Sequence, residues 1–243
     1  MFMVSSMIVT MIDQLSLDFA ALYADFQSPI TVLDCGDRCA PYNELGVPFC
    51  CDPRHAVGTA YLAEWDFLST NTDLWHLWEG SYPKETLRLF SQTPVGQVLI
   101  ACQGHKFCQR QFRSLVCRAF PFFPYITLQG RFIGLAYYWE YEDRCWVISN
   151  LHIVSKEYVS EFVAAFNKIF EHMPHELENF RYQSSRMRRC FGRRRRTIPL
   201  LQRNGHACEV TPRDGCLRQV SFETLPKFGP YEIAAELPFA DEV

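Results

Sequence analysis

Seven cysteines lie in three groups within the first half of the chain, and their side chains could together bind a metal. The groups are a CxxxC pair, an adjacent CC pair and three cysteines in one later segment: Cys35 and Cys39, Cys50 and Cys51, and Cys102, Cys108 and Cys117. A thiolate is a soft, charged ligand that suits zinc and the iron of iron–sulfur clusters. The sequence therefore predicts a metal centre, and the cysteine spacing does not choose between zinc and an iron–sulfur cluster.

Seven ligands exceed one centre, because a structural zinc ion and a four-iron cluster each take four protein ligands as a rule. Adjacent residues of an extended chain point in opposite directions, so Cys50 and Cys51 either face different metals or one of them only packs. Four residues beside the cysteines could complete a second site: Asp34, Asp52, His55 and His105. The alternative, that the seven are small buried hydrophobic residues, fits poorly with loop-like segments flanked by charge.

Two arginines flank the last of these cysteines. Arg113 precedes Cys117 by four residues, and Arg118 follows it directly. Guanidinium groups could donate hydrogen bonds to sulfur and offset the charge of the thiolates, so both are predicted to contact the bound metal centre. The alternative is that each forms a surface salt bridge with a carboxylate.

The order CxxxC, CC, CxxxxxC and then RxxxCRxFPF resembles the YkgJ-type cysteine-cluster family, whose members are described as zinc- or iron-chelating. The resemblance covers about residues 30 to 125 and extends to the cluster of the flagellin lysine-N-methylases. In these families a block of the type RPxxCRxFP closes the site. Here Ser114 stands at the usual proline, and the first pair is CxxxC where CxxC is more common. The resemblance implies an iron–sulfur cluster slightly more than zinc.

Signals for an enzyme are weak in this sequence. It has no P-loop, no GxGxxG after a strand and no GxSxG. The pair Cys35 and Cys39 lacks the third cysteine of the CxxxCxxC arrangement used by radical enzymes that take S-adenosylmethionine. The resemblance alone implies a cluster-dependent, methylase-like enzyme, so the sequence leaves enzymatic activity open.

The composition predicts a packed protein with one basic island. Hydrophobic residues make up 48% of the chain, which excludes global disorder. The net charge is −3, yet seven arginines fall in the Arg186–Arg196 run. This run could make weak contacts with nucleic acid or an acidic protein, or it could be a solvated basic tail.

The cysteine content and the N-terminus together predict a cytoplasmic protein. The first residues are apolar but carry no basic region, and Asp13 interrupts them, so they do not resemble a signal peptide. They are also too short to span a membrane. In a reducing compartment, clustered cysteines indicate metal binding more often than disulfides.

Hydrophobic periodicity predicts an α+β fold, in which loop-rich cysteine segments pack against a small antiparallel sheet and helices. We expect a cysteine-cluster domain over residues 1–180 and a basic, loosely structured extension over residues 181–243. The expected helices are one with apolar residues from Leu15 to Phe26, one capped by Thr59, one from Pro83, one capped by Ser155 and one from Pro174. The expected strands are Ile30 to Leu33 and a meander of Tyr125 to Leu128, Arg131 to Glu140 and Arg144 to Ser149.

Overall fold

The computed structural model describes residues 17–80 and 83–232, which form an α+β fold. In this part of the chain the helices are α1 (Phe19–Ala24), α2 (Cys35–Cys39), α3 (Leu62–Asn71), α4 (Pro83–Gln92), α5 (Leu115–Ala119), α6 (Lys156–His172) and α7 (Pro174–Arg193). The strands are β1 (Gly58–Tyr61), β2 (Trp75–Leu77), β3 (Gln97–Cys102), β4 (Phe122–Ile126), β5 (Phe132–Tyr137), β6 (Ile198–Gln202), β7 (Ala207–Val210) and β8 (Leu217–Gln219).

The strands form two antiparallel sheets. The smaller has the order β1-β3-β2, and the larger has the order β4-β5-β6-β7-β8. Helix α7 packs on β4 of the larger sheet, and α5 packs on β1 of the smaller one. The cysteine-bearing segments lie around the smaller sheet and the loops that lead into the larger one.

The first two strands of the predicted meander are confirmed as the β4–β5 hairpin. The predicted third strand is wrong. Tyr125 pairs with Gly134, and β5 is largely buried, as its apolar sequence predicted. Residues 144–149 form turns instead of a strand, although Trp146, Val147 and Ile148 are buried. The next strand in the sheet is β6, which approaches so closely that a Cβ on Gly134 would lie 2.0 Å from the Leu201 carbonyl oxygen.

The two long helices begin where the sequence predicted. The Ser155 side chain accepts a hydrogen bond from the Tyr158 backbone N–H at 3.2 Å and caps α6. Pro174 opens α7, because proline lacks the N–H that the first helical turn leaves without a partner. Phe162 and Phe166 of α6 pack with ring centroids 4.5 Å apart.

Two local predictions in the first half are wrong. Residues 30–33 form no strand; the Ile30 carbonyl instead accepts from the Ser155 backbone N–H at 2.9 Å. Thr59 lies in β1, and α3 begins at Leu62. There the Glu64 carboxylate accepts from the Tyr61 backbone N–H at 3.2 Å and satisfies the start of the helix.

The expected loosely structured extension is ordered over residues 181–232. Helix α7 runs across residue 181, and β6 to β8 complete the larger sheet. Two of the arginines in the basic run hold these elements in place. Arg188 is buried and donates to the Ile126 carbonyl at 3.0 Å, and Arg196 pairs with Glu142 at 2.9 Å. Part of the basic run is therefore structural.

The apolar N-terminal segment, residues 1–16, lies outside the described residues, as do residues 233–243. Within the described part of the chain, no helix combines the length and the apolar character that a membrane span requires.

Candidate metal centre

The CxxxC pair is carried by the short helix α2. The Asp34 carboxylate accepts from the Gly36 backbone N–H at 2.8 Å and caps this helix. Gly36 lies so close to Pro48 that an added Cβ would be 2.9 Å from the proline ring. Helix α2 therefore rests directly on the segment that leads into the CC pair.

The CC pair lies in a short 3-10 turn, Phe49–Cys51. The Phe49 backbone N–H lies near the Cys39 sulfur and lowers the pKa of that thiol, which brings the first two cysteine groups together; the Cys39 thiol donates to the Gly36 carbonyl at 3.6 Å. The sulfurs of Cys50 and Cys51 lie 4.0 Å apart, within the range of an S–H···S contact.

The third group begins at the end of β3. Cys102 pairs with Trp75 of β2 in the smaller sheet. The Trp75 indole N–H donates to the Phe112 carbonyl at 2.7 Å, and Thr72 donates to the Gln109 side chain at 3.0 Å. These bonds fold the segment that carries Cys108 back over β2.

Arg113 donates to sulfur, as the sequence predicted. Its Nε lies 3.1 Å from the Sγ of Cys108. Burial disfavours the charged guanidinium, yet the bond to Cys108 and the nearby thiols of Cys117 and Cys51 raise the pKa of Arg113 overall. Arg113 therefore donates to one predicted ligand, Cys108, and its charge acts on two others, Cys117 and Cys51.

Arg118 has a different role from the one expected. Its buried guanidinium donates to the carbonyls of Arg113 at 2.8 Å and Gln111 at 2.7 Å, and also to the Phe26 carbonyl. It also lies over the Tyr23 ring, 4.3 Å from the centroid. Its hydrogen bonds hold the backbone of the Cys108 segment, and none of them goes to sulfur.

Helix α5 positions Cys117. The Ser114 hydroxyl accepts from the Cys117 backbone N–H at 3.3 Å, so the serine at the usual proline position is the N-cap. The buried Glu64 carboxylate accepts from the Leu115 backbone N–H at 2.6 Å and from the Tyr23 hydroxyl at 2.5 Å. A carboxylate of α3 thus fixes the start of the helix that carries the last cysteine.

Cysteines from two of the three groups line one cavity. It has a volume of about 340 Å³ and includes Cys50, Cys51, Cys102 and Cys117 in its walls. The rest of its lining is mainly apolar and aromatic, with Trp75, Ile100, Val116, Phe120, Tyr138 and Tyr141. The CC pair and Cys102, about fifty residues apart along the chain, therefore line one cavity, which Cys35, Cys39 and Cys108 do not line.

The acidity of these thiols follows from burial and from their proximity to each other. Burial, and after it the charge of neighbouring thiolates, raises the pKa of Cys35 to about 11 and that of Cys117 to about 12. For Cys117 those neighbours are Cys51, Cys108 and Cys102. Cys51 differs, because a hydrogen bond from the Cys50 thiol lowers its pKa and Arg113 lowers it further. Cys51 is therefore the thiol most readily ionised in this pair.

The four polar residues considered for a second site have structural roles or lie apart. Asp34 caps α2, and buried Asp52 pairs with Arg54 at 2.8 Å, which lowers the pKa of Asp52. His55 packs edge-on against Phe49 at 5.1 Å, and His105 lies half-buried in a short turn. Within residues 17–80 and 83–232, no three Cys, His, Asp or Glu side chains are arranged as they would be around a bound metal ion.

An eighth cysteine, Cys145, joins the group and was missed by sequence analysis. It lies beside Cys35 and Cys39, whose charges add to burial in raising the pKa of its thiol. It also lines a small cavity together with Cys35, Cys39 and Cys50. The sequence signal was present, since Cys145 follows the polar residues Glu142, Asp143 and Arg144, but the apolar residues after it favoured a strand.

The last three cysteines lie elsewhere in the fold. Cys190 is half-buried in α7, Cys208 is buried in β7, and Cys216 is exposed. All eleven cysteines of the chain fall within the described residues, and none is in a disulfide.

Comparison with family models, curated proteins and solved structures found no match for this chain.

Proposed function

We propose that this chain is a metal-binding protein whose cysteine cluster holds zinc or an iron–sulfur cluster, in a structural or electron-carrying role. The observation that carries this proposal is the shared cavity of Cys50, Cys51, Cys102 and Cys117, with Arg113 hydrogen-bonded to Cys108 beside it. The resemblance to zinc- and iron-chelating cysteine-cluster proteins supports the same function. We also propose a cytoplasmic location, since clustered cysteines in a reducing compartment indicate metal binding more often than disulfides.

The residues present fit a thiolate-bound metal. Buried thiols from separate segments repel each other when ionised, and a shared cation reverses that repulsion and deprotonates them. The Phe49 N–H near Cys39 and the Gly104 N–H near Cys102 each lower the pKa of the neighbouring thiol and favour its ionised form. Such donors, with Arg113, offset the negative charge that several thiolates leave after binding one cation.

The test is metal analysis of protein purified without oxygen. The wild type should contain stoichiometric metal; a brown protein that bleaches in air indicates an iron–sulfur cluster, and a colourless one indicates zinc. Cys117→Ser should lose metal, whereas Cys190→Ser, also at a half-buried cysteine, should keep it. A metal-free wild type, or equal loss in both variants, would contradict the proposal.

A second candidate, a cluster-dependent enzyme, is favoured by one observation. A cavity of about 560 Å³ adjoins the sulfur-lined cavity and shares Thr59, Val116, Tyr138 and Tyr141 with it. Its other walls carry charged groups, among them Glu64, Glu176 and Arg186. A polar cavity of this size beside a metal centre could hold a small substrate.

The methylase-like form of this candidate is tested by adding S-adenosylmethionine to the reduced, metal-loaded protein. The electron paramagnetic resonance spectrum of the cluster should change on binding, and the spectrum of a buffer control should not. An unchanged spectrum at saturating S-adenosylmethionine would exclude that activity and leave the structural or electron-carrying role.

A further inference from the structure

Four cysteines line a second, much smaller cavity of about 40 Å³: Cys35, Cys39, Cys50 and Cys145. Its remaining walls are largely apolar, with Ile30, Phe49, Phe120, Pro121, Trp146 and Val147. Four thiols from three separate segments around one small, apolar space match the number and kind of ligands in a closed structural zinc site.

We propose that Cys145 is the fourth ligand of a separate mononuclear zinc site, formed with Cys35, Cys39 and Cys50. The remaining ligands, Cys51, Cys102, Cys108 and Cys117, then form the other centre, and Cys50, which lines both cavities, is assigned to the smaller one. This inference rests on the proposed function and deepens it, because it divides eight thiols into two sets of four. The division falls between the adjacent residues Cys50 and Cys51.

The fold holds the Cys145 turn against α2. The Cys145 backbone N–H donates to the Tyr141 carbonyl at 2.9 Å, and the Tyr231 hydroxyl donates to the Arg144 carbonyl at 3.0 Å. Arg38, one residue before Cys39, lies over the ring of Trp146, one residue after Cys145. The Arg38–Trp146 contact therefore joins the two cysteine segments without involving sulfur.

Backbone N–H groups of Val147 and Ile148 near the Cys145 sulfur lower the pKa of this thiol and partly oppose the effect of burial. The Ile148 N–H itself donates to the Cys145 carbonyl at 3.2 Å and closes the turn. Arg144 lines the same small cavity and offers a positive charge beside the thiolates.

The small size of this cavity favours a single ion. Its volume of about 40 Å³ is on the scale of a few water molecules. The neighbouring cavity of about 340 Å³ has room for a larger group. These four cysteines would hold the zinc ion, and each thiol that becomes a ligand would release its proton to solvent.

The test is Cys145→Ser in the full-length chain, with Cys190→Ser as the matched half-buried control. We expect Cys145→Ser to lose about one zinc per chain and keep the metal of the other centre, and Cys117→Ser to show the opposite pattern. Unchanged zinc in Cys145→Ser, or loss of both centres from the folded variant, would overturn the proposal. A wild type without any metal would instead refute the proposed function itself.

A measurement on the wild type keeps the proposal testable if Cys145→Ser does not fold. Native protein is alkylated with iodoacetamide before and after treatment with a zinc chelator, and each cysteine is quantified by mass spectrometry. Exposed Cys216 should react in both samples and buried Cys208 in neither. Cys35, Cys39, Cys50 and Cys145 should become reactive together with zinc release; a Cys145 that stays unreactive after the other three react would overturn the proposal.

Discussion

The guanidinium carbon of Arg38 lies 5.8 Å from the centroid of the Trp146 ring. This cation–π contact joins the helix that ends at Cys39 to the turn that begins at Cys145. The contact therefore holds the segment of Cys39 next to the segment of Cys145, although the two cysteines are not bonded to each other.

Arg38→Ala should therefore accelerate zinc release. Losing a cation–π contact of this kind costs about 0.5–1 kcal/mol, which corresponds to a release about two to five times faster. The measurement is the rate of zinc transfer to a coloured chelator. Arg189→Ala is the control, since Arg189 lies at the same 5.8 Å from Tyr182 on the surface of α7. Equal rates in both variants would contradict a role for Arg38 in holding the site.

Arg113→Gln should weaken the centre that contains Cys108. The substitution removes the charged donor on the Cys108 sulfur, and loss of a partner to a metal ligand typically lowers metal affinity about 10–100-fold. Chelator competition measures the change, and Arg113→Lys should recover part of it by restoring the charge. Arg110→Gln is the control, because exposed Arg110 donates only to the Gln27 carbonyl among the bonds described here. An affinity within twofold of wild type for Arg113→Gln would exclude this role.

The elevated thiol pKa values predict that metal binding releases protons. With its pKa raised to about 12, Cys117 is protonated at neutral pH in the metal-free protein, and Cys35, at about 11, is as well. Each must ionise to become a ligand, so metal affinity should rise with pH, by up to about tenfold per pH unit for each proton released. Zinc titration in weakly buffered solution measures the protons directly. Release of no protons, or an affinity that falls as pH rises through neutrality, would contradict thiolate ligation.

For the buried Glu64 carboxyl we expect a contribution to folding stability that falls as pH rises, whereas metal affinity rises with pH. Burial raises the pKa of this carboxyl despite its three hydrogen bonds, so the folded state binds more protons than the unfolded state. Its contribution to stability is present at low pH and is lost as pH rises through the folded pKa. Glu64→Gln cannot titrate and should be about 1–3 kcal/mol less stable at low pH, through its lost acceptor. The gap to wild type should narrow with rising pH in urea unfolding; a gap that widens would contradict this account.

Part of the candidate site could be predicted because its cysteines carry a local signature. The order of Cys35 to Cys117, the donor role of Arg113 and the meeting of distant segments all follow from residue type and spacing. Helices α6 and α7 could also be predicted from the sequence, since Ser155 and Pro174 mark where they begin. Such signals depend on neighbours within a few residues and therefore survive without knowledge of the tertiary structure.

The errors fall where a distant partner decides the outcome. Trp146, Val147 and Ile148 are buried and apolar, as a strand would be, but β6 takes the sheet position next to β5. That β6 arises from the segment after the basic run could not be inferred from residue spacing. Cys145 was missed for the same reason, because only the folded turn brings it to Cys39. Arg118 likewise donates to backbone carbonyls, and no sequence pattern indicates which carbonyls the fold brings near it.

The most direct test of the central claim is X-ray absorption at the edge of the metal bound to wild-type protein purified without oxygen. The account predicts a first shell made of sulfur, with about four sulfurs at about 2.3 Å from each zinc ion, or the sulfur and iron shells of a cluster. Cys190→Ser should give the same spectrum as wild type. A first shell dominated by nitrogen and oxygen, or a protein that takes up no metal, would contradict a thiolate centre in this fold.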